Sequence, residues 1–294
     1  MVYSDCKFGI EMEFTGVTRR AAANILGVFF GTGYREVGGT YHAFEACDTD
    51  GRRWQVMSDS SVHVNGGEQC ELVSPVLGFS DMPLLMEVIR QLRHNGAKCN
   101  DSCGFHVHLS CPEQFNVSQL TRLIYIMHSK QNIIYEALGV ISTRTSYCHK
   151  LPEELCQTIK SKKPQTMQNL ADIWYSVLGG NYNRSSHYNN SRYHCLNLHN
   201  LFSGRQPTVE FRCANGSLRD ARVVRATIEL YALIVAYSFN AKNCSYKTTV
   251  PTGSHKYAMR VFMVKIGAVG DELAVCRKYI LKNMSGDTAW RTRC

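Results

Sequence analysis

Seven ionisable residues stand where an extended strand would carry them to one side of a sheet. They are Glu11 and Glu13 in "IEMEF", Glu71 in "QCELVSP", His106 and His108 in "GFHVHLS", and Glu210 and Arg212 in "TVEFRC". Side chains alternate across a strand, so each i, i+2 step keeps its polar pair on one face and sends neighbours such as Met12, Val107 and Phe211 to the other. Like charges crowded on one face repel unless a cation lies between them. A solvated sheet face alternates in the same way, but it normally mixes Lys, Thr and Ser with its carboxylates. Four glutamates, two histidines and one arginine instead form a ligand set for divalent cations, with a guanidinium able to fork onto phosphate oxygens. Hard cations such as Mg²⁺ share their coordination between carboxylates, water and substrate phosphates, and imidazole joins most readily around Mn²⁺. The expected chemistry is that of a floor for a metal–nucleotide complex.

Two other readings compete. "CNDSCGFHVHLSC" gathers Cys99, Cys103, His106, His108 and Cys111, which alone could make a zinc site, although the spacing matches no compact Cys-x-x-Cys knuckle. Free buried thiols are the simpler account. The formal net charge of +9, from 33 Lys and Arg against 24 Asp and Glu, favours anionic partners, and "KSKKP" (160–164) adds a basic stretch. The basic residues are dispersed and no aromatic-interleaved motif accompanies them, so a nucleic-acid-binding role is possible but not favoured, and a solvated helix end explains "KSKKP".

The elements that must position these residues follow from periodicity. Strands are expected at 7–14, 40–47, 52–57, 61–65, 69–73, 104–110, 194–198 and 208–213. Helices are expected at 18–30, 80–96, 117–139, 166–180, 218–241 and near 271–283. Strands come early and helices follow in groups, which predicts an α+β fold with a largely antiparallel sheet. No repeat or linker divides the chain, so one domain spanning 1–294 is expected. The polar stretch 179–193 reads as a long loop of the kind that often serves function. The 13 cysteines follow no recognisable signal peptide, which predicts free thiols in a cytoplasmic protein. The apolar run "IELYALIVAYSF" is too short to span a bilayer, so no membrane partner is expected.

The motifs "FGIEMEF", "DSS" followed by "CELVSPVL", "CGFHVHLS", "RYHCLNL" and "TVEFRCANGSL" occur in one order over residues 7 to about 220. In this the chain resembles the amidoligase family of carboxylate–amine ligases, relatives of glutamine synthetase and glutamate–cysteine ligase. The resemblance implies an antiparallel sheet curved into a half-barrel, with helices on the convex side. Its concave face would hold ATP and two or three Mg²⁺ or Mn²⁺ ions. By the same resemblance Glu11, Glu13, Glu71, His106 and Glu210 correspond to metal ligands, and His108 to a residue near the nucleotide phosphates. Arg212 and Arg192 correspond to phosphate- or substrate-contacting arginines, and Asp59 to the acid that binds or deprotonates the amine. Relatives often carry Asp-Gly-Ser where this chain has Asp59-Ser60-Ser61, and serine lacks glycine's backbone freedom. The implied activity is ATP-dependent joining of a small-molecule or peptide carboxylate to an amine through an acyl phosphate. A guanidino-kinase-like phosphotransfer on the same sheet is the alternative.

Overall fold

The computed structural model describes residues 1–64, 66–180, 184–248 and 250–292. Its centre is an open eight-stranded antiparallel sheet, ordered β2-β3-β4-β5-β1-β6-β8-β7. The strands are β1 (Lys7–Phe14), β2 (Arg35–Gly38), β3 (Ala43–Cys47), β4 (Arg53–Met57), β5 (Cys70–Val73), β6 (Gly104–Ser110), β7 (Leu196–Asn197) and β8 (Val209–Asn215). The helices among the described residues are α1 (Arg19–Phe30), α2 (Met82–His94), α3 (Val117–Leu138), α4 (Glu153–Lys162), α5 (Met167–Leu178), α6 (His199–Phe202), α7 (Ala221–Asn240), α8 (His255–Lys265) and α9 (Ala274–Ile280). The α+β class expected from the sequence is therefore what the chain adopts.

The sheet is pinned by its apolar face. Phe8, Ile10, Met12 and Phe14 of β1 are all at most 1% exposed, as are Val107 and Leu109 of β6 and Val209 and Phe211 of β8. Burying each such side chain contributes roughly 1.5–3 kcal/mol, so a one-residue slip that turned the face outward would be very costly. Helices cover this face: α1 packs on β3 and β4, α7 on β6, and α3 on β8. Their ends follow local chemistry. Thr18 caps α1 by accepting from the Ala21 amide, Asn116 and Gln119 form a reciprocal box at the start of α3, and Gly31 and Gly139 close the two helices at φ 73° and 61°.

Several expectations need correction. Residues 61–64 form no strand, and 65 lies outside the described residues; the Asp59 carbonyl accepts the Val62 amide, so this backbone turns instead of pairing. The edge strand β2 escaped the pattern because "REVG" is charged and largely exposed. Helices α4, α6 and α8 were also missed. The apolar run near 228–239 belongs to a longer helix, α7, which by length and composition alone could cross a membrane; 72% of its most apolar window is buried within the protein. It packs against α2, α3, α9 and β6, which accounts for its composition as that of a core helix.

Candidate active site

The four strands β5, β1, β6 and β8 are neighbours, and their register assembles the ionisable set. Glu13 pairs across from Glu71, Glu11 from His106, and Glu210 from His108. Beside His106 the β6–β8 ladder shifts register, so that Val107 meets Phe211 but Phe105 meets Ala214. Such an irregularity re-aims side chains. Here Arg212 stands at it and hydrogen-bonds through Nη1 to Oε1 of Glu210.

Each oxygen of Glu11 meets a histidine: Oε2 lies 3.0 Å from Nδ1 of His106, and Oε1 lies 3.0 Å from Nε2 of His108. Glu13 is buried; its Oε2 accepts the Gly104 amide at 2.6 Å and lies 3.5 Å from Nη1 of Arg144. The other oxygen of Glu210 accepts from Asn197 Nδ2 at 2.6 Å. Three triads place ligand atoms within 4.8 Å of one another: Glu11–His108–Glu210, Glu11–Glu71–His106 and Glu13–Asp59–Glu71. Glu11 and Glu71 each belong to two of them, so the triads form a chain across the floor. His108, expected beside the phosphates, thus also stands within the ligand set.

Electrostatics divides the carboxylates. Burial opposes ionisation of Glu11, but His108 and His106 outweigh it and hold its carboxyl well below the usual range. Burial likewise works against the Glu210 carboxylate, yet Arg212 and His108 lower its pKa. Burial by itself would lower the His108 pKa; Glu11 and Glu210 instead push it up to about 9. Glu71 behaves oppositely. Burial raises it well above the carboxylate range, and Glu11, Asp59 and Glu13 raise it further against a partial offset from Arg212. A floor in which one carboxylate resists ionising, and in which buried Nδ1 of His108 has no protein partner among the described residues, fits a bound cation of high charge. These carboxylate and imidazole groups could hold metal ions.

Above the floor lies a cavity of about 540 Å³. Glu11, Glu13, Asp59, Glu71, His106 and Arg212 line it; His108 and Glu210 join through Glu11. Asp59 is both a turn residue and a site residue: Oδ1 accepts the Ser61 amide at 2.7 Å, and a carboxylate oxygen reaches the Glu13–Glu71 triad. The backbone of Ser60 has no positive φ, so the departure from Asp-Gly-Ser carries no strain here. Arg192 reaches the cavity wall, donates to the His187 carbonyl at 2.6 Å, and lies over the Tyr188 ring. The Tyr41 and Tyr188 hydroxyls meet at 3.1 Å, linking two loops that border the cavity. Residues 181–183, part of the loop expected at 179–193, lie outside the described residues; Asn190–Tyr193 form a 3₁₀ turn. The suspected zinc cluster does not assemble. His106 and His108 face carboxylates, Cys111 Sγ lies 3.7 Å from Cys6 Sγ, and Cys99 donates to the Glu13 carbonyl.

Arg144 and Asn197 are among the residues of the site that were missed. Arg144, only 2% exposed, lines the cavity and donates to the carbonyls of Ser102 and Arg212. Nothing in "ISTRTS" marks it; the available signal is Gly104, where a Cβ would collide with the Arg144 guanidinium. Asn197 was visible as a lone amide among apolar neighbours in "CLNL", a position that demands a buried partner.

No curated protein matches the chain. A family model does, over residues 4–235, and those residues contain every member of the ionisable set together with Asp59, Arg144, Arg192 and Asn197. The chain belongs to the family described as "Putative amidoligase enzyme", and with it to the enzymes of ligase type.

Proposed function

We propose that the protein joins a carboxylate to an amine at the expense of ATP, through an acyl phosphate. The observation that carries this reading is the convergence of four glutamates, two histidines and Arg212 from four adjacent strands beneath a cavity of about 540 Å³, in a chain of an amidoligase family. Glu11, Glu13, Glu71, His106 and Glu210 would hold divalent cations, with His108 and Asp59 within ligand reach. Bound Mg²⁺ or Mn²⁺ would neutralise phosphate oxygens.

The protein's own groups account for the remaining steps. Arg212, buried and fixed by Glu210, and Arg192, at the cavity wall, stabilise charge on the transferring phosphoryl group. A substrate carboxylate oxygen attacks the γ-phosphorus, the bond to the β,γ-bridging oxygen breaks, and ADP leaves. Asp59 takes a proton from the incoming ammonium. The freed amine nitrogen adds to the acyl carbon, and phosphate departs with the electron pair of the C–O bond and takes up the second proton lost by the nitrogen. Water would intercept the acyl phosphate, so the Tyr41–Tyr188 contact and the 179–193 segment are assigned to shielding it.

We further read residues 1–294 as one catalytic unit. From the cysteine usage of the sequence we also infer a reducing, cytoplasmic setting. The test is to incubate the protein with ATP, Mg²⁺ and a panel of acids and amines, following ADP, phosphate and products by mass spectrometry. The expected result is amide product with equal release of ADP and phosphate. A stable phosphorylated product without amide would establish phosphotransfer instead, and no substrate-dependent ADP release across a broad panel would contradict both.

A further inference from the structure

The basic stretch "KSKKP" has no part in the proposed reaction, and as sequence it reads as a solvated helix end. The fold gives it company. The end of α4 turns Lys160 and Lys163 toward a groove of about 370 Å³, which Arg122 of α3 and Lys242, just beyond α7, also line. Four cations from three separate parts of the chain therefore meet around one hollow. No acidic side chain lines it, and none of the four makes an ion pair among the described residues.

The arrangement is partly pre-set. Arg122 is anchored because Nε donates to the Ser238 carbonyl at 2.6 Å and Nη2 to the Phe239 carbonyl at 3.4 Å. Lys160 Nζ lies 5.8 Å from the centre of the Tyr246 ring, and Tyr125 and Ile159 supply an apolar wall. Val117 and Ser118, the first turn of the 22-residue α3, add the positive end of a long helix dipole. Convergent like charges with no carboxylate between them repel one another, and an anion relieves that repulsion.

We propose that this groove binds a compact, multiply charged, phosphate-bearing anion at a site separate from the catalytic cavity. No residue lines both. The cations surround one hollow, whose volume is near the lower end for small-molecule sites, whereas single-stranded nucleic acid calls for a longer charged track with stacking aromatics.

The experiment is calorimetric titration of the protein with inorganic tripolyphosphate at low salt. EDTA is present so that the carboxylate floor cannot recruit phosphate through metal. Saturable binding is expected in the wild type, weakening with added salt. It should fall about tenfold or more in a Lys160→Ser, Lys242→Ser double variant, roughly the loss of one strong charge contact. Both lysines are exposed, so the variant should melt within a few degrees of wild type, which keeps the binding loss interpretable. Undiminished binding in the double variant, no saturable binding in the wild type, or an equal loss from Arg192→Ser in the catalytic cavity would each overturn the proposal. Tighter binding of a short single-stranded oligonucleotide, weakened by the same lysine pair, would overturn it in favour of nucleic acid.

Discussion

The floor and the rim of the proposed catalytic cavity are built by different rules. The floor comes from β1, β5, β6 and β8, where the pleat and an apolar underside fix every side chain's direction. The rim comes from loops: Asp59 from a turn, Arg144 from the segment after α3, and Tyr41, Tyr188 and Arg192 from still more distant stretches. The floor gathers carboxylates that repel one another, while the rim brings guanidinium and phenol groups held by backbone carbonyls or by each other. The lesson is a division of labour. Rigid strands hold the charge-dense part, where position matters most, and loops hold the part that must adapt to a substrate.

The largest effects are expected on the floor. Glu11→Gln removes a ligand from two triads at once, so turnover should fall by about a thousandfold or more while the fold persists. Steady-state ADP release and circular dichroism check the two halves of that statement. Arg144→Met tests where floor and rim meet. It leaves buried Glu13 without its guanidinium neighbour and should cost about 3 kcal/mol by urea unfolding, as the loss of one partner of a buried pair usually does.

Glu71→Gln should act in the other direction. The folded protein holds the Glu71 carboxyl well above its unfolded pKa, so ionising it opposes folding. That penalty is absent below the unfolded pKa and grows as pH rises toward the folded one. Without divalent metal, the variant should therefore be more stable than wild type at neutral pH and equal to it in acid. It should also lose the part of the thermal stabilisation by Mn²⁺ that comes from the two triads Glu71 serves. Equal melting of the two proteins at pH 7 in EDTA would refute this. The smallest effect belongs to the rim: Tyr41→Phe removes one exposed hydroxyl contact and should shift stability by no more than about 0.5 kcal/mol. Because that contact is assigned to shielding the acyl phosphate, the variant should release somewhat more ADP per amide formed, which product ratios measure.

How much could be read from the sequence follows the same division. The strands bearing Glu11, Glu13, His106 and His108 were legible to the residue, at 7–14 and 104–110, because an apolar alternation runs along each. Glu71, Glu210 and Arg212 were legible for the same reason. Asp59 and Arg192 came through resemblance to a family, since neither stands on a periodic element. Arg144 left no trace in its own segment, because its role depends on Gly104 being bare 40 residues earlier in the chain. The triads themselves could not be read either, since they depend on which strands are neighbours. The basic groove divides in the same way: "KSKKP" was visible, but Arg122 and Lys242 across the groove were not.

The central claim is that this floor binds divalent cations for use with ATP. Electron paramagnetic resonance of Mn²⁺, titrated into the protein with a non-hydrolysable ATP analogue, tests it most directly. The account predicts bound Mn²⁺ in up to three sites per chain, matching the three triads, with Glu11→Gln removing the ions held at the two triads it serves. Mn²⁺ that stays free in the presence of protein and analogue, or binding that Glu11→Gln leaves unchanged, would contradict it.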